Sequence, residues 1–277
     1  MTGRGKAGTP APPRLSPRDP TLKTRPVPPE RHFGIRSIGP GATSDISSTI
    51  EPFDKLKERV GPFSRSDECG SAMYLLKSID RRSHRLDVDG PTWGYFIFVT
   101  SYSEVAMQNL ESAAEKVVEV VRRSLTQSHP AFGAEATKRF RLDLIQDPEA
   151  LQDASDDRIR EEFNAMLKGH GLWPSGCGSS GPLTPTRRFA CLVFDEATIL
   201  ELAKVLLPED PDDDYKALEQ VEIKIIDRVW KRPRSGRDSY PGVDWCPVSG
   251  LPGAYYLIGS GDSGSMMDMY PMRNEFY

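Results

Sequence analysis

The feature that most limits how this chain can fold is a pair of short β-prone apolar runs. They span Trp93 to Val99 and Arg188 to Phe194, with amphipathic helical sequence between them. Such a run reads as a strand covered on both faces, because a half-exposed strand would alternate apolar with polar residues. After the first run Ser103 is placed as a helix N-cap with Glu104 in the first turn. Leu110, Ala113, Ala114, Val117, Val118, Val121 and Leu125 then recur at helical spacing. Arg122 and Arg123 are expected to close that helix, where the dipole favours cations.

Arg139 to Ile145 alternates Phe140, Leu142 and Leu144 with Arg139, Arg141 and Asp143, which predicts a half-exposed strand. Asp153, Ser155, Asp156 and Asp157 crowd the start of a second helix, with Ile159, Phe163, Met166 and Leu167 on its buried stripe and Gly169 as its C-cap. Asp195 caps a third helix, bearing Ile199, Leu202, Ala203 and Leu206. Val221, Ile223 and Ile225 then alternate as a last, edge-like strand. Weaker helical spacing precedes all of this, in Phe53, Leu56 and Val60 and again in Ala72, Leu75, Leu76 and Ile79, broken by Gly61-Pro62.

The resulting order, β-α-β-α-β-α-β, fits an α+β, four-stranded ferredoxin-like sandwich with the two buried strands central and one extra helix. The alternative is a small α/β doubly wound parallel sheet. Residues 1–48 read as a basic, proline-rich disordered tail, 49–257 as a single α+β domain and 258–277 as a flexible C-terminal tail.

Charge divides along the same line. Residues 1–36 hold eight Lys or Arg against two acids, +6. The whole chain is −4, so the remainder carries −10. An acidic body disfavours a broad nucleic-acid footprint. No stretch approaches a membrane span, and no signal peptide is visible, so an intracellular, cytoplasmic or nuclear, protein is expected.

The chemistry-bearing residues do not assemble into a motif. Cys69, Cys177, Cys191 and Cys246 lie far apart with no CxxC pair, against a zinc ribbon or finger. His32, His84, His129 and His170 stand alone. Gly261-Asp262-Ser263-Gly264-Ser265 has the letters of a trypsin-type nucleophile segment but none of the all-β scaffold. The acidic run Asp210, Asp212, Asp213, Asp214 lacks the glycine and terminal glutamate of a calcium loop. Asp195-Glu196 and Asp227 sit at strand ends, where paired carboxylates could hold magnesium, but the first strand ends in Thr100-Ser101-Tyr102. No catalytic residue, metal ligand or cofactor site is therefore assigned.

One binding pattern stands out. Arg187 to Phe194 resembles the octamer of RNA-recognition motifs and Ile97-Phe98-Val99 the companion hexamer. Their exposed stacking rings would be Phe98 and Phe189, although Arg188 replaces a glycine and Cys191 an aromatic.

Larger segments carry a family likeness: Trp93-Gly94-Tyr95 leading to Thr100-Ser101-Tyr102, then Asp153-Ala154-Ser155 leading to Arg158 through Phe163. Arg188-Phe189, Cys191-Leu192, Asp195-Glu196 and Val221 through Trp230 complete it. Over about residues 90–257 the chain resembles a family of uncharacterised proteins of filamentous ascomycete fungi. That resemblance implies a fungal, intracellular protein, accessory to lineage-specific traits such as specialised metabolism, and brings no activity, cofactor or site with it. The expected function is a non-enzymatic interaction module with a protein partner. Alternatives are a small-molecule-binding accessory protein or enzyme, and RNA binding through an RRM-like sheet.

Overall fold

The structure is a computed structural model that describes residues 33–61, 71–83, 91–172, 185–207, 221–231, 240–260 and 266. All the described elements belong to one compact unit within residues 31–277. The apolar run at Trp93–Val99 is a strand, β2, buried along its whole length, and so is β4 (Ala190–Phe194). They are parallel neighbours, paired through Ile97↔Leu192 and Val99↔Phe194. β3 (Phe140–Gln146) runs parallel to β2 on its other side. β5 (Glu222–Asp227) lies antiparallel beyond β4.

Two further strands complete a six-stranded mixed sheet in the order β1-β3-β2-β4-β5-β6. β1 (Gly34–Ile38) pairs antiparallel with β3, and β6 (Val243–Pro247) pairs antiparallel with β5.

The expected four-stranded ferredoxin-like sandwich is thereby overturned. That fold sets its second strand beside its third, its fourth beside its first, and its helices on one face. Here the second expected strand, β3, lies beside the first, and the fourth, β5, beside the third. The crossovers also use both faces. α4 (Glu104–Ser128) and α5 (Pro130–Lys138), between β2 and β3, pack on one face; α6 (Pro148–Leu151) and α7 (Asp156–Gly169), between β3 and β4, pack on the other. Nor is the sheet wholly parallel, since β1, β5 and β6 all pair antiparallel.

Two further corrections follow. β3 is not half-exposed: its polar side faces the second layer, where Ile145 is buried in the cluster with α7 and Asp143, 2% exposed, pairs with Arg187, while β1 covers its outer edge. β5 is not an edge, because β6 lies beyond it. Ordered elements lie on both sides of the expected domain limits: β1, a 3₁₀ turn at Pro40–Ala42 and α1 (Ile46–Thr49) occupy residues 34–49, and the last helix runs to Ser260.

The first face carries most of the helices. Beside α4 and α5 lie α2 (Phe53–Val60), α3 (Ser71–Ser83), α9 (Glu196–Lys204) and α10 (Leu251–Ser260). Trp93, Tyr95, Ile97 and Val99 of β2 point into this layer, while Phe96 and Phe98 point into the second, beneath α7. Trp93 is fully buried, donates from Nε1 to the Ala136 carbonyl at 2.7 Å, and packs on Phe140 and Tyr255 with ring centroids 4.5 and 5.3 Å away. Next to it Gly94 has φ +140°, and a Cβ there would lie 1.7 Å from the Arg141 carbonyl oxygen, so only glycine lets β2 and β3 approach.

Helix ends are set by the residues that cap them. Ser103, Ser155 and Asp195 accept from the backbone N–H groups of Ala106, Arg158 and Thr198, at the starts of α4, α7 and α9. α4 does not stop at Arg122-Arg123; both bind Glu119 instead and the helix continues to Ser128. α7 ends with His170 as C-cap and with Gly171, not Gly169, in the left-handed position at φ +66°. Among the described residues no helix is long and apolar enough to cross a membrane.

Candidate functional site

Open sheets with parallel central strands bind ligands at the carboxyl ends of the two strands whose connections leave in opposite directions. Here those are β2, whose chain goes to β3, and β4, whose chain goes to β5. The candidate site is therefore built from Thr100-Ser101-Tyr102-Ser103, from Asp195-Glu196, and from the turn 147–154 beside them.

The crevice is closed by the protein's own groups. Thr100 donates its N–H to the Phe194 carbonyl at 2.9 Å, joining the two strand ends. Ser101, 5% exposed, donates its hydroxyl to Glu196 Oε2 at 3.0 Å. From the other side, Asp153 donates its N–H to the Thr100 carbonyl at 2.9 Å, and Tyr102 donates its N–H to Gln152 Oε1 at 3.1 Å. The Asp147 N–H donates to the Tyr102 hydroxyl at 2.7 Å. Asp153 sits at φ 53°, a left-handed conformation that Asp tolerates better than most residues, and this turns the chain across the mouth.

Electrostatics point the same way. A helix N-terminus can cradle a phosphate through its unpaired N–H groups. The caps of α4, α6, α7 and α9 are all occupied by Ser103, Asp147, Ser155 and Asp195, and the first turns carry Glu104, Glu149, Asp156, Asp157 and Glu196. An anionic ligand would meet carboxylates instead of open amides. Burial pushes the Tyr102 phenol up to about 12, against the lowering effect of the Asp147 N–H, so it stays protonated at neutral pH.

The carboxylates considered for a metal do not converge. Asp195 follows the carboxyl end of β4, whereas Asp227 pairs with Ala190 at its amino end. That places them roughly 15 Å apart along the strand. Asp227 is instead a buried hub. It accepts from Val229 N–H at 2.9 Å, Met266 N–H at 3.2 Å and the Tyr240 hydroxyl at 3.4 Å. Arg160 of α7 donates to the Asp227 and Gly242 carbonyls at 2.9 and 2.7 Å and lies over the Trp230 ring. Burial, and next the Asp227 charge, push the Tyr240 phenol far above its ordinary value. Among the described residues no group of three or more His, Cys, Asp and Glu side chains could hold a metal ion.

The stacking rings separate too. Phe98 is fully buried in the second layer, 5.5 Å from the Phe163 ring. Phe189 ends the short helix α8 (Pro185–Phe189), packs against the first layer, and has the Arg188 and Arg228 guanidiniums 5.3 and 5.6 Å from its ring. The two rings share no open strand face.

His129 caps α5 with its ring against Phe132, and His170 caps α7. Cys191 is buried, which pushes its thiol far above the ordinary range, and Cys246 is half-buried. Cys69, Cys177, His32, His84, the acidic run 210–214 and Ser263 lie outside the described residues. Tyr102, Gln152 and Asp147, which do close the crevice, carry no local motif; only the crossover of the sheet brings them together. No protein-family model, curated protein or solved structure matches the chain.

Proposed function

We propose that the protein is a non-enzymatic intracellular interaction module. One observation carries this reading: the crevice where an open sheet of this kind would bind a small molecule is stapled by Ser101–Glu196, Tyr102–Asp147 and Asp153–Thr100. The buried ionisable groups are likewise spent on structure. Arg139, for example, is wholly buried and ties Glu135, Asp80 and the Glu51 carbonyl together. The partner is a protein, and the resemblance of residues 90–257 to a fungal family supports a role accessory to a lineage-specific process.

Ligand-induced thermal stabilisation tests this directly. Nucleotides, dinucleotides, sugar phosphates and divalent cations should each leave Tm unchanged, while tagged protein and its partner should recover each other in reciprocal captures. A saturable rise in Tm with a small molecule, abolished by Glu196→Gln, would overturn the reading.

A further inference from the structure

We infer that the groove between α2 and α3 is the docking site for an acidic segment of a partner protein carrying one bulky apolar anchor. The inference rests on the interaction-module reading and supplies its surface. Phe53 and Met73 form the floor, Tyr74 one wall, and Lys57 and Lys77 the rims.

The two helices repeat one device. Lys57 stands four residues after Phe53, and Lys77 four residues after Met73, so on each helix an ammonium lies one turn from an apolar floor residue. Both lysines are exposed, and neither forms an ion pair among the described residues. Two nearby acids are held elsewhere: Glu51 by Arg59 at 2.8 Å, and Asp80 by Arg139 while it also accepts the Phe53 N–H at 2.5 Å; Asp54, three residues before Lys57 on α2, is exposed and forms no ion pair with it.

The apolar part is exposed as well. Tyr74 keeps 40% of its surface, its ring 5.6 Å from that of Tyr256 on α10, and Leu257 beside it keeps 37%. Two exposed cations outside any ion pair among the described residues, lining one groove with an exposed aromatic, stand on a body of net charge −10 beyond residue 36. Carboxylates are the complement of the rims, and an aromatic or aliphatic side chain is the complement of Tyr74. A basic segment would be repelled by the lysine rims, and a nucleic acid by the acidic body.

The test is fluorescence anisotropy of a short labelled peptide carrying Asp and Glu on both sides of a single Phe, titrated with the full chain. Lys57→Glu with Lys77→Glu should weaken binding roughly tenfold or more at unchanged Tm, since two exposed attractions become repulsions. Tyr74→Ser should weaken it comparably, and raising the salt from about 0.05 to 0.5 M should weaken the wild-type complex. Replacing the peptide's acids by Asn and Gln should also weaken it.

Equal binding of acidic and amidated peptides, or indifference to the charge reversals, overturns the inference. So does peptide binding that appears only in Asp212→Asn/Asp213→Asn/Asp214→Asn protein, which would make the chain's own acidic run the occupant. A dimer lost in the double lysine variant would make a second copy the occupant and overturn it too. A partner captured reciprocally but insensitive to Lys57 and Lys77 removes this groove and leaves the module reading standing.

Discussion

The two faces of the sheet are held by different physics. On the first, six helices bury a continuous apolar layer from Phe53 and Leu56 to Leu251 and Ile258, in which side-chain shape sets the fit. On the second, α6 and α7 cover a smaller cluster centred on Phe98 and Phe163, and beside it charges are buried in the sheet. Asp143 of β3, 2% exposed, pairs with Arg187 and lies 3.3 Å from Arg141 Nε; it also accepts from the Ser37 hydroxyl of β1. Arg187 in turn lies over the Phe96 ring, 4.2 Å from its centroid. Beside the smaller apolar cluster, this layer is thus closed by a buried arginine that pairs through Nη2 with a carboxylate and packs its guanidinium on an aromatic ring.

The sharpest way to break this contrast is on the thick face. Trp93→Ala should cost about 3–5 kcal/mol, because it empties a large fully buried volume and leaves the Ala136 carbonyl without its donor. Urea unfolding measures it; a loss under about 1 kcal/mol would mean that the layer collapses to fill the gap.

On the thin face Arg187→Met should cost about 3 kcal/mol by removing the buried cation paired with Asp143 and leaving it only Arg141 and Ser37, and adding Asp143→Leu should restore much of it. If the double variant is no better than the single one, the pair is not the unit that matters.

The same pair sets a pH dependence. Burial pushes the Asp143 carboxyl up, but Arg187 and Arg141 outweigh it and hold the group below its ordinary value. Its contribution is then complete above the unfolded aspartate range, about pH 3.9, and is lost as pH falls towards the lower folded value. The Tm difference between wild type and Asp143→Asn should therefore be constant near neutral pH and shrink below about pH 4.

Ser103→Ala should cost about 1 kcal/mol, the usual value of an N-cap, on either side of the comparison. Smallest of all, Arg36→Ala removes an exposed pair with Glu111 and should leave Tm within error.

Some elements were plain in the sequence and others were hidden, for identifiable reasons. β2, β4, α4, α7 and α9 carry long periodic or continuous apolar signals and strong caps, and they lie within a few residues of where those signals put them. β1 and β6 are five residues each, and their burial patterns show mostly exposed or half-buried side chains, so they carry little apolar signal of their own. Each takes its register from a neighbour already in place. α5 did leave a trace, Pro130 at its first position after a capping His129, which is a helix start that alternation in the next strand overshadowed. In the sequence the crevice segment 100–103 shows only a missing acid. Its actual closure needs Gln152 and Asp147, about 50 residues away in the chain.

What the sequence determined by itself was local: which segments must be buried and where helices begin. Periodicity and capping are nearest-neighbour physics and need no partner to be read. Tertiary structure decided the strand order, the use of both faces, the pairing of Asp143 with Arg187, and the meeting of Lys57 with Lys77 across a groove. Each depends on which edges and charges are left unsatisfied once the central strands have paired, and no single segment contains that information.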